Sequence, residues 1–80
     1  MDTRQATANR IIELCRERNI AINALAITSA VHPSTVKGIL NGASKNPGVV
    51  TIKKLCDGAG ITLAQFFDTQ EFNELEQEIK

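Results

Sequence analysis

Residues 22–42 read INALAITSAVHPSTVKGILNG, and the break at Val31-His32-Pro33 decides how the chain folds. A proline disfavours helix in the residue before it yet is welcome at a first helical position, so one short helix ends before this point and another begins at Pro33. Leu25, Ala26 and Ser29 share one face of the earlier helix, predicted over about 22–30. The later helix runs from Pro33 to about Asn41 with Val36, Ile39 and Leu40 inward, and Gly42 stops it. In a helix-turn-helix the first helix holds the second at a steep angle and a small residue is needed where they touch; Ala26 supplies one. With Leu25, Val31, Val36 and Ile39 turned to the body, Pro33, Ser34, Lys37, Gly38 and Asn41 point outward. A surface helix bearing a lysine and small polar residues suits the major groove of DNA.

Outward from this pair the apolar spacing is helical and no alternation of period two persists. Ala8, Ile11, Ile12 and Cys15, with Leu14 beside them, predict a first helix over about 5–18, opened by Asp2 with Gln5 and stopped by Asn19 in a left-handed turn. Residues 42–48, GASKNPG, form a loop on composition. Ile52, Leu55, Cys56 and Ala59 mark a fourth helix that Gly58 and Gly60 close. Thr62 with Gln65 makes a capping box for a fifth, through Leu63, Phe66 and Phe67. Asp68 with Glu71 opens a last helix whose Phe72, Leu75 and Ile79 form a stripe among four glutamates.

At 80 residues, with 42% hydrophobic and 22% charged side chains, the chain is one small soluble domain whose core must be economical. It has no apolar run of membrane-span length, and Met1-Asp2-Thr3-Arg4-Gln5 lacks the apolar stretch of a secretion signal, so a cytoplasmic location is expected. Cys15 and Cys56 stand far apart without a CxxC pair, and there is a single histidine, which argues against a zinc site and for buried reduced thiols. Catalysis has no support: there is no nucleophile motif and no phosphate-cradling glycine loop, and neither cofactor nor metal is expected. Formal charge is zero, but its distribution is polarised. From Arg18 to Cys56 there are five basic residues and no acid, whereas Asp57 to Lys80 holds six acids and one lysine.

The run LAITSAVHPSTVKGILNG, then Asn46-Pro47, TIKKLCDGAGI and TLAQFF resembles the λ repressor and Cro superfamily of helix-turn-helix proteins, over about 60 residues and with matching loop lengths. The resemblance implies an all-α fold, a compact five-helix λ repressor-like bundle over residues 1–68, here with an additional short acidic amphipathic C-terminal helix over 69–80. It also implies a sequence-specific DNA-binding transcriptional regulator, most simply a repressor, that binds double-stranded DNA as a homodimer with one recognition helix per half-site. On this chain the recognition helix falls on 33–41. His32, Pro33, Ser34, Lys37 and Gly38 would face base edges, and Thr35, Asn41, Ser44, Lys45 and Asn46 would lie against phosphates.

Several positions depart from the family pattern. Ala21-Ile22 stands where a Ser-Gln pair usually holds a phosphate, and Ala30 stands where glycine is usual, which is tolerable if the turn avoids a positive φ. His32 replaces the customary Ser or Thr cap, and Gly38 lies inside the recognition helix at a cost of about 1 kcal/mol relative to alanine. The apolar residues Phe67, Phe72, Leu75 and Ile79 exceed what a five-helix core needs and are candidates for dimerisation. The glutamates around them would be repelled by DNA, which places the tail away from the groove. Ile22 and Ile27, expected to be exposed, motivate the alternative: a protein-binding module on the same fold, such as an antitoxin or a regulator-sequestering partner. Lys53 and Lys54 read as a solvated face of the fourth helix.

Overall fold

A computed structural model describes residues 1–79. Within them lie six helices and no strand: α1 (Thr3–Arg18), α2 (Ile22–Thr28), α3 (Pro33–Asn41), α4 (Val49–Ala59), α5 (Leu63–Phe67) and α6 (Gln70–Asn73). None of these helices is long and apolar enough to cross a membrane.

Short-range chemistry sets most boundaries. The Asp2 carboxylate accepts from Gln5 N at 2.8 Å and opens α1. Asn19 closes it with φ 54°, while Ile20 N donates back to Cys15 O at 3.0 Å. Thr62 and Gln65 exchange side-chain and backbone bonds at 2.8 and 3.0 Å, completing the expected capping box of α5.

One core joins the helices. Ile11 and Leu14 of α1, Leu25 and Ala26 of α2, Val36 and Ile39 of α3, Leu55 and Cys56 of α4 and Phe66 of α5 are all buried. Each large apolar side chain so removed from water contributes about 1.5–3 kcal/mol. The inward stripe of α1 is centred on Ile11, Leu14 and Cys15, so Ile12, expected inward, is only half-buried. Ile22, expected exposed, is half-buried against the core, whereas Ile27 is 70% exposed. Cys15 and Cys56 are both buried free thiols, and burial pushes each above the ordinary thiol range.

Two elements differ from the reading above. Gly58 lies within α4 instead of closing it. A Cβ there would stand 1.9 Å from Ser29 Oγ and 3.2 Å from Ser29 Cα, so this glycine lets α4 pack directly beneath the end of α2.

The second difference is the C-terminal segment. Thr69, in place of Asp68, caps the last helix by accepting from Phe72 N at 3.3 Å, and that helix ends at Asn73. The expected stripe therefore does not run along one helix face. Phe72 leans on the core, with its ring 4.9 Å from that of Phe67 and 6.2 Å from that of Phe66. The segment beyond is drawn back to the start of α1. Glu78 accepts from Thr3 Oγ1 at 2.8 Å and from Thr3 N at 3.3 Å, a carboxylate placed on the positive end of a helix dipole.

Candidate nucleic-acid interface

The turn between α2 and α3 is the end of one helix and the start of the next. Val31 N donates to Ala26 O at 2.9 Å and Ala30 N to Ile27 O at 3.1 Å, the paired bonds of a Schellman ending. That ending needs a left-handed residue, and Ala30 takes the role with φ 57°. The turn therefore does not avoid a positive φ. An alanine Cβ in this region costs on the order of 1–2 kcal/mol, a strain that glycine does not bear. Val31 is buried and pins the turn to the core.

His32 then starts α3. Its Nδ1 accepts from Ser34 N at 3.1 Å and lies 2.7 Å from Ser34 Oγ, so the imidazole caps the helix where a hydroxyl is usual. Pro33 occupies the first turn without a backbone donor to lose. With Val36 and Ile39 sealed in the core, α3 presents Ser34, Thr35, Lys37 and Asn41 to solvent, and His32 is exposed at its entrance. Ser34, Lys37 and Asn41 are spaced by three and four residues and so share one face. No ion pair involves Lys37 among the described residues.

Two residues of the expected base-facing group are less prominent. Pro33 and Gly38 are half-buried. Gly38 is turned toward the following loop: its carbonyl accepts from Ser44 N at 2.9 Å, and a Cβ on it would lie 3.9 Å from Ser44 Cβ. Ser44 is half-buried by the same contact. Asn41 uses its side-chain carbonyl to accept from Ala43 N at 2.9 Å, which leaves its amide NH2 free to donate outward.

Lys45 and Asn46 are exposed and line a groove of about 470 Å³ together with Thr3, Arg4, Val49 and Phe67. Glu78 lines this groove too, so the acidic tail is not wholly remote from the expected phosphate-binding loop. Of the candidate dimerisation residues, Ile79 is 88% and Phe67 38% exposed, while Phe72 and Leu75 are half-buried. Lys54 is exposed, and Lys53, also exposed, pairs with Asp57 one turn along α4.

Two arginines of α1 were not singled out by sequence. Arg10 donates to Phe66 O at 2.7 Å and Gln65 O at 3.0 Å, is flanked by Glu13, and so ties α5 to α1. Arg4 donates from Nη1 to Ile39 O at 3.0 Å, holding the last turn of α3. Neither contact has a local signature, because the partners are 56 and 35 positions away.

Residues 10–71 match the family model of the Cro/C1-type helix-turn-helix DNA-binding domain. The crystal structure of the prophage Lp1 protein 11 is similar over 94% of this chain and 100% of that one, with a TM-score of 0.82 and 34% sequence identity. No curated protein matches. Both findings fall on the turn and helices just described, and the chain belongs to the Cro/C1-type helix-turn-helix family of DNA-binding regulators.

Proposed function

We propose that the chain is a sequence-specific transcriptional repressor that inserts α3 into the major groove and binds pseudo-palindromic duplexes as a homodimer. The observation that carries this reading is the exposed face of α3, with Ser34, Lys37 and Asn41 on an acid-free stretch and Val36 and Ile39 fixing the opposite face. A major groove about 12 Å wide admits one helix, and a lysine there donates to guanine O6 and N7. In this reading His32, Pro33, Ser34 and Lys37 lie toward the bases, and Gly38, turned to Ser44, supplies no base contact of its own. Thr35, the free amide of Asn41, Ser44, Lys45 and Asn46 meet phosphate oxygens and set register. Residues 1–68 form the DNA-binding unit, and 69–80 serve packing or dimerisation. Exposed Phe67 and Ile79 supply apolar surface for the second copy, with half-buried Phe72 and Leu75 beside them.

Binding selections on random duplexes, followed by titrations at several salt concentrations, test the proposal. Affinity should fall steeply with salt because phosphate contacts release counterions. Lys37→Ala should relax preference at one base pair per half-site, by about 1–3 kcal/mol. A loss spread equally over all sequences reassigns Lys37 to phosphate, and salt-independent or absent binding ends the DNA reading.

A second reading has one observation in its favour. Ile27 at 70%, Val49 at 65% and Val50 at 66% exposure are large apolar side chains held out in solvent. They suit a protein partner, as in an antitoxin or a regulator-sequestering module. Co-purification of a second chain that Ile27→Ser abolishes would favour this reading over the first.

A further inference from the structure

We propose that Arg4 is a positioning residue for DNA reading, setting the angle of α3 by holding its C-terminal end from the first turn of α1. The proposal rests on α3 being the recognition helix.

A helix of nine residues has four carbonyls at its end without a partner inside the helix. In a continuing helix Ala43 N would bond Ile39 O, but here it donates to Asn41 Oδ1. The Arg4 guanidinium takes over and donates to Ile39 O at 3.0 Å. It also places a positive charge at the negative end of the helix dipole.

Gly42 ends the helix in a left-handed turn beside this contact. Its φ is +86°, and a Cβ on it would stand 3.7 Å from Arg4 Cζ, 3.8 Å from Nη1 and 4.0 Å from Nη2. The guanidinium is therefore packed against the turn that ends α3. Through that contact the start of α1 and the end of α3 move as one body. Asn41 lies in the clamped turn and Lys37 one turn before it, so freeing the end changes how both meet DNA.

The test uses Arg4→Met, which keeps an unbranched side chain and removes the donor, and Arg4→Lys, which returns one donor. In the DNA-free protein, amide exchange in the last turn of α3 should quicken about tenfold in Arg4→Met, with the middle of α4 unchanged, and recover in part in Arg4→Lys. On a duplex selected by the unsubstituted chain, set against a scrambled duplex of equal length, Arg4→Met should lower the affinity ratio about tenfold and leave the salt slope unchanged. Unchanged exchange in α3 overturns the role of Arg4. A salt slope reduced by about one phosphate, with both duplexes weakened equally, also overturns it and makes Arg4 a backbone contact instead. If the unsubstituted chain binds no duplex, the DNA reading fails on its own, while the exchange measurement still decides whether Arg4 holds the helix.

Discussion

The two ends of α3 are held by opposite means. At its start the hydrogen bonds are local: His32 bonds Ser34 two residues on, and Ala30 and Val31 bond back to the helix just finished. At its finish the decisive group is Arg4, thirty-five positions away. The backbone differs as well, since a left-handed alanine precedes the helix and a left-handed glycine follows it. The start is thus strained and self-contained, whereas the finish is relaxed and depends on α1.

Exchanging the two left-handed residue types should expose that difference most clearly. Gly42→Ala puts a Cβ into a left-handed turn, in ordinary contact with the Arg4 guanidinium, and should lower the unfolding free energy by about 1–2 kcal/mol in urea titration. Ala30→Gly makes the reverse change and should raise it by about 1 kcal/mol, less than the strain itself because glycine gains freedom in the unfolded chain. If both substitutions destabilise, the start of α3 is not strained. The smallest effect belongs to the cap. His32→Ala should cost up to about 1 kcal/mol in thermal unfolding, and His32→Ser should recover it, because a hydroxyl also accepts from Ser34 N. Equal stability of His32→Ala and the unsubstituted chain would mean that the imidazole contributes no cap.

The same contrast explains how much could be read in advance. Caps and stripes are chemistry between residues three or four apart, so the bounds of α3, the Thr62 capping box and the left-handed Asn19 were legible. The face of α3 was legible by the same logic, apart from Gly38, which is turned to Ser44. Contacts across the fold leave no such trace. Gly58 looked like a helix stop because nothing in the sequence indicates that Ser29 lies against it. Nothing around Arg4 in the sequence points to Ile39 either. The tail misled for a related reason: Phe72, Leu75 and Ile79 keep a helical spacing, but Glu78 bonds Thr3 at the other end of the chain and the helix stops at Asn73.

The paired sulfhydryls give this molecule an internal clock. Cys56 in α4 is sealed in the core, so an alkylating reagent reaches it only when that helix lifts away, whereas Cys15 in α1 keeps 6% exposure beside an open groove and is the faster reference. The modification rate of Cys56 against that of Cys15 would time how often the scaffold behind α3 breathes, with no label introduced.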